Sequence, residues 1–212
     1  TDWSIFEEPF DENVMLQFHK YWNNPDKESI ATYLDAREKW NLPIFMGEGG
    51  ENNPDWYSGA FRMFEDLDIS WNFWTWKKLD THNSPYSISL PAGWDRLVQA
   101  AETESAEQAE HANQADRGLD TGRARTILNE FAEKVKISNC EYRPEVVQAL
   151  LRRPPVRIPA IFYSYQDKGR GFDPGPAAVK APPERSIDFR RADGMQFGYI
   201  DAASHQVSPN FA

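Results

Sequence analysis

A mixed α/β chain built on a parallel sheet is what this sequence predicts, and three observations carry the prediction. β-prone runs alternate with helical spacing over residues 13–76, the connections between them are short, and beyond residue 154 short β-prone pieces are separated by Gly, Pro and Asp. The alternation argues for parallel strands with helices packed outside them. The later texture argues for a small all-β region.

The elements follow in order. Asn13-Val14-Met15-Leu16-Gln17-Phe18 reads as a strand running into His19-Lys20-Tyr21-Trp22, and Asn23-Asn24-Pro25-Asp26 breaks it. Ile30, Tyr33, Leu34 and Arg37 share one face of a helix whose start is marked by Pro25-Asp26 and Ser29. Pro43-Ile44-Phe45-Met46-Gly47 is a short apolar strand closed by Glu48-Gly49-Gly50. A second helix carries Trp56, Ala60, Met63, Phe64 and Leu67, and a third strand runs from Ile69 to Trp76 before Lys77-Lys78. After Pro91, Trp94, Leu97 and Val98 open a further helix. A polar insertion near 101–123 holds Ala, Glu and Gln with almost no large apolar residue. Helical spacing returns at Ile127, Leu128, Phe131 and Val135, and again at Val146, Val147, Leu150 and Leu151, until Arg152-Arg153-Pro154-Pro155 stops it. β-prone pieces are expected at Ile158–Tyr165, Ser186–Phe189 and Gln196–Ile200. The division is therefore 1–153 and 154–212.

Composition narrows the function. The formal net charge is −10 with no long basic run, which argues against nucleic acid and anionic membrane surfaces as partners. No apolar stretch approaches the length of a membrane span. One cysteine, Cys140, excludes an internal disulfide, and the four histidines show no zinc-ligand spacing, so no metal or other cofactor is implied. Aromatic residues make up 14% of the chain, and all eight tryptophans fall within residues 1–94. Such rings serve either core packing or stacking on the apolar face of a sugar, and composition leaves both open.

Strand ends are where function sits in a parallel α/β arrangement. Strict alternation puts Gln17, His19 and Tyr21 on one side of the first strand. It puts Ile44, Met46 and Glu48 on one side of the second, and Ser70, Asn72, Trp74 and Trp76 on one side of the third. A histidine with a tyrosine, a carboxylate between glycines, and a tryptophan thus fall at three consecutive strand ends, which predicts one shared site.

Phe18-His19-Lys20-Tyr21, Pro43 through Gly50, and Ile69 through Lys77 together resemble the last three strands of glycoside hydrolase family 5, across roughly the first hundred residues. The resemblance implies the C-terminal half of a (β/α)8 TIM barrel acting on a β-linked polysaccharide as a retaining enzyme, with endo-β-1,4-glucanase (cellulase) activity the first expectation. A mannanase or a β-glucosidase of the same family, or a non-catalytic polysaccharide-binding protein with the same cleft, are the other readings. It further implies Glu48 as nucleophile, Tyr21 as the hydroxyl orienting it, His19 as the histidine lining the cleft, and Trp74 as the sugar platform. Trp71 is expected to face the helices. Trp76, Asn52, Lys77 and Tyr86 are further candidates for substrate contact. An extracellular or periplasmic location is implied by the polymer substrate alone. The family draws its acid/base from a Glu in Asn-Glu-Pro, which occurs nowhere in these 212 residues. The chain is therefore expected to be a fragment that by itself turns over no soluble β-glucan. In the tail, Ile158-Pro159-Ala160, Gly169-Arg170-Gly171, Phe189-Arg190 and Asp193-Gly194-Met195 resemble the opening of a family 6-type carbohydrate-binding sandwich. A cap without sugar affinity is the alternative for that segment.

Overall fold

The apolar run before His19 becomes β1 (Leu16–Lys20), and the run after Pro43 becomes β2 (Ile44–Gly49), paired in parallel. β3 (Ser70–Trp71) adds to the far side of β2, giving the order β1-β2-β3 with Glu48 on the central strand. The computed structural model describes Trp3 and residues 7–105, 120–173, 186–187, 189–194 and 197–198. Among these the fold is mixed α/β with small open sheets and no closed barrel.

Two helices cross over between these strands, as parallel pairing requires. The first, α1 (Ala31–Trp40), follows a 3-10 turn at Glu28–Ile30 and stops at Asn41, whose left-handed φ of 50° ends the helix. The second, α2 (Pro54–Asp66), starts on a side-chain cap: Asn53 accepts from the Trp56 N–H at 2.9 Å, and Pro54 fills the first turn where no N–H is needed. Trp56, Tyr57, Ala60, Phe61, Met63 and Phe64 of α2 are fully buried against Phe18, Ile44 and Met46. Each large side chain so buried contributes about 1.5–3 kcal/mol. A later helix, α5 (Pro144–Leu151), packs on α2 through Val146, Ala149 and Leu150.

Alternation along β2 is broken. Phe18 pairs with Met46, but the next residue, His19, pairs with Glu48, so β2 holds one residue more than β1 at Gly47. β3 meets the same insertion: Trp71 opposes Met46 and Trp74 opposes Gly50, three steps against four. The expectation that Ile44, Met46 and Glu48 share a side is therefore corrected. Ile44 and Met46 face the buried core, and the extra residue turns Glu48 onto the opposite face, beside His19. Gly47 lies on that outer face too, where a Cβ would come within 2.2 Å of the Gln17 side chain. The third strand, expected as one run to Trp76, is a two-residue ladder and a single bridge at Trp74 for the same reason.

Past Pro154 the expected strand at Ile158–Tyr165 is instead a 3-10 turn at Ala160–Phe162. Pro159 fixes the entry to this turn, and its carbonyl accepts from the Phe162 N–H at 3.0 Å. Phe162 is buried on Gly59 of α2, where an added Cβ would lie 2.6 Å from its ring. Tyr165 N and Ser164 Oγ donate to Asp66 at 2.8 and 3.1 Å. Of the other two expected pieces, the structure describes β7 (Ser186–Ile187) and β8 (Phe197–Gly198), an antiparallel pair of two residues each. Residues 188, 195–196 and 199–200 lie outside the described residues. Pro144–Ala212 forms one compact unit with Thr1–Thr75, a partition different from 1–153 and 154–212.

The second compact unit is Trp76–Arg143. It contains β4 (Lys77–Leu79), β5 (Tyr86–Ile88) and β6 (Glu141–Tyr142), with β4 parallel and β6 antiparallel to the central β5. It also contains α3 (Trp94–Ser105) and α4 (Thr121–Lys134), joined by contact of the Trp94 and Phe131 rings at 4.8 Å. Residues 106–119 of the polar insertion lie outside the described residues. No helix among the described residues is long and apolar enough to cross a membrane.

Candidate active site

At the C-terminal end of the β1–β2 pair, two side chains converge on one carboxylate oxygen. The Tyr21 hydroxyl donates to Glu48 Oε2 at 2.7 Å, and His19 Nδ1 stands 3.4 Å from the same oxygen. The other imidazole nitrogen, Nε2, lies 3.0 Å from the Gln17 amide nitrogen. An amide nitrogen only donates, so this contact fits the tautomer in which His19 Nε2 accepts and Nδ1, facing Glu48, carries the ring proton. Oε1 of Glu48 accepts no hydrogen bond among the described residues, and the side chain keeps 36% of its surface exposed. One oxygen is thus held and the other is open to an incoming group.

Burial, then the hydrogen bond to Glu48 and the charges of Glu48 and Glu51, push the Tyr21 hydroxyl well above its ordinary value. It therefore stays protonated across the working pH range and remains a donor. Its backbone is fixed from behind, because Asn52 Nδ2 donates to the Tyr21 carbonyl at 2.9 Å. Asn52 Oδ1 accepts from Asn53 N at 2.9 Å, and the residue is only 7% exposed. Asn52, expected to touch substrate, is spent on holding Tyr21 in place.

Trp74 is 48% exposed, and its N–H donates to the Gly49 carbonyl at 2.8 Å. Its backbone is thereby tied to the residue after Glu48. Gly50, bridged to Trp74, has φ +153°, and a Cβ there would fall 1.8 Å from the Trp74 carbonyl oxygen, so only glycine allows this approach. Trp71 and Phe73 face α2, with ring centroids 4.6 Å (Trp71) and 5.9 Å (Phe73) from Phe61. The expected alternation holds from Ser70 to Trp74. Trp76 and Lys77 belong to the second unit, where Trp76 is 59% exposed and the Lys77 amine donates to the Val135 carbonyl at 2.6 Å.

A second knot lies under the β1 end. Lys20 is 2% exposed, and its amine donates to Asn23 Oδ1, the Asn24 carbonyl and Ser29 Oγ at 2.7, 2.6 and 2.6 Å. Burial lowers its pKa to about 7, against the opposing charge of Asp26. Burial likewise raises the Asp26 carboxyl. Trp56 Nε1 donates to the Asn23 carbonyl at 2.9 Å and Tyr165 Oη to the Pro25 carbonyl at 2.5 Å, so the loop after Tyr21 is held at several points. Sequence reasoning passed over Lys20. Its one signal was a lysine on the apolar side of the strand, in phase with Phe18. Among the described residues no cluster of His, Cys, Asp and Glu could hold a metal ion. No family model, curated protein or solved structure matches the chain.

Proposed function

We propose that Glu48 is the nucleophile of a retaining β-glycoside hydrolase of the family 5 type, acting on β-linked glucan in the manner of an endo-β-1,4-glucanase. In this reading β1–β3 with α1 and α2 correspond to the C-terminal part of a (β/α)8 barrel. The observation that carries it is the carboxylate at the end of β2, with Tyr21 and His19 on one oxygen and Trp74 anchored beside it. A nucleophilic carboxylate must be oriented, and the Tyr21 hydroxyl donating to Oε2, with His19 beside the same oxygen, holds it while leaving Oε1 to attack. Oε1 forms a bond to the anomeric carbon as the bond to the leaving oxygen breaks, and the leaving group departs with the electron pair. Trp74 offers an indole face for the sugar ring being transferred. A polymer of this kind implies action outside the cell.

The second carboxylate of such a reaction protonates the leaving oxygen and later deprotonates water, at about 5 Å from the nucleophile. Asn-Glu-Pro is absent from these residues, so leaving groups that need no proton are the right probes. With dinitrophenyl β-cellobioside the chain is expected to release a burst of one dinitrophenolate per molecule, followed by slow turnover. Glu48→Gln abolishes the burst while leaving binding of cello-oligosaccharide near the parent value. A burst that survives in Glu48→Gln would refute the assignment. The missing Asn-Glu-Pro also favours a second reading, a non-catalytic glycan-binding protein. Its signature is binding that depends on Trp74, with no burst.

A further inference from the structure

The second unit carries its own group of neighbouring aromatic rings. Tyr86 of β5 and Tyr142 of β6 are direct cross-strand partners, so their side chains stand on the same face of the sheet, with ring centroids 5.3 Å apart. Trp76, whose carbonyl accepts from the Tyr86 N–H at 3.2 Å, places its indole 5.4 Å from the Tyr86 ring on the other side. Tyr86 on β5 thus stands between the ring of Trp76, the residue before β4, and that of Tyr142 on β6. Trp76 is 59% exposed and Tyr142 50%, while Tyr86 between them is half-buried. The residues after Tyr86, Ser87 and Ile88, are buried.

We infer that the Trp76–Tyr86–Tyr142 strip is a binding surface for a soluble, neutral β-glucan chain. The choice of glucan rests on the function proposed above; the strip itself does not. Ring faces of this kind take the apolar face of a pyranose, and the charges beside them are already engaged. Arg143 pairs with Glu141 at 3.0 Å, and the Lys77 amine is bonded to Val135. A net charge of −10 disfavours a polyanion. The rings are tilted by 53° and 43° to one another, so the three cannot lie together on a flat crystalline surface. A twisted single chain can follow them. A second protein is a poor occupant on area: an aromatic ring buries about 150–250 Å². Rings this exposed offer on the order of 300 Å² together, against about 800 Å² per partner in a stable interface.

The test is affinity electrophoresis of the full chain in hydroxyethylcellulose, with cellohexaose titration beside it and melting curves as a folding control. Trp76→Ala and Tyr142→Ala are each expected to weaken binding about tenfold, and Tyr142→Phe to restore it, at an unchanged melting temperature. Adsorption to microcrystalline cellulose should be weak and equal in all variants. Binding to soluble glucan that is indifferent to Tyr142→Ala overturns the inference. So does a ring-dependent self-association in sedimentation, which would make a second copy the occupant. The two readings fail separately: loss of the burst in Glu48→Gln with no effect of Tyr142→Ala removes the strip alone. Ring-dependent binding with a Glu48-independent burst removes the nucleophile assignment alone.

Discussion

The two compact units present aromatic groups to solvent on very different foundations. Under Glu48 and Trp74 lies a layer of fully buried rings, Phe18, Trp56, Tyr57, Phe61 and Phe64, with α5 closing it from behind. Under the Trp76–Tyr86–Tyr142 strip the unit is thin. Ile88 and Ile127 are buried, but Val98, Leu128 and Ile137 remain 39%, 49% and 51% exposed. The difference matches what each surface is asked to do. A nucleophile must hold one oxygen within a fraction of an ångström, which needs a dense support and several hydrogen bonds converging from behind. A stacking surface needs only rings at the right spacing, and a small sheet supplies that.

The comparison breaks most visibly by removing one ring from each region. Trp56→Ala leaves a cavity in the core and frees the Asn23 carbonyl, so a loss of about 3–5 kcal/mol in a urea melt is expected. Trp76→Ala in the second unit should stay within about 0.5 kcal/mol of the parent. Equal losses would mean that the strip is structural.

A contrast within the first unit comes next. Trp71, partly buried against Phe61, is expected to cost about 2 kcal/mol of stability as Trp71→Ala, below the about 3–5 kcal/mol of a fully buried ring. Trp74→Ala should leave the melt unchanged and weaken oligosaccharide binding by about 1–3 kcal/mol, as for other aromatic stacking. Reversal of the two phenotypes would put the β3 register off by one residue.

Lys20 gives a pH-dependent signature in place of a fixed loss. Unfolded, its pKa is the ordinary 10.5; folded, burial holds it at about 7. Between those values the unfolded chain binds a proton that the folded chain does not, so stability rises with pH from about 7 upward, by at most about 1.4 kcal/mol per pH unit. Asp26 acts with the opposite sign: raised above 3.8, it stays protonated in the fold after the unfolded chain has released its proton. Its contribution is therefore lost as pH rises through that acidic window. Lys20→Met should flatten the alkaline rise in melting temperature relative to the parent; parallel curves would show that Lys20 does not titrate there. Tyr21→Phe is expected to cost less than about 1 kcal/mol of stability because the bond ends on a part-exposed carboxylate. It should nonetheless slow the dinitrophenolate burst.

Much of this arrangement is legible in the amino-acid sequence. The spacing of Trp56, Ala60, Met63 and Phe64 gives α2 directly, and alternation along residues 71–74 separates the core-facing Trp71 from the exposed Trp74. The meeting of Tyr21, His19 and Glu48 was also expected, but through a strand parity that β2 does not keep. Strict alternation from Met46 would have left Glu48 on the core face. The extra residue at Gly47 turns it to His19, and a bulge of one residue leaves no mark on hydrophobic periodicity. Asn52 reads as an exposed loop polar residue and is in fact buried, because its partner, the Tyr21 carbonyl, lies 31 positions away in the chain. Tyr142 was missed for a similar reason. Its strand is two residues long, and only cross-strand pairing with Tyr86 makes it part of a row.

The central claim, that Glu48 is a glycosyl-accepting nucleophile, is tested most directly by trapping the ester. A dinitrophenyl β-cellobioside with fluorine beside the anomeric carbon needs no proton donor to react, and the fluorine slows hydrolysis of the product. Mass spectrometry of the intact chain should then show the addition of one fluorocellobiosyl group, and peptide mapping should place it on Glu48. An unmodified chain after prolonged incubation, or an adduct on any other carboxylate, would contradict the account.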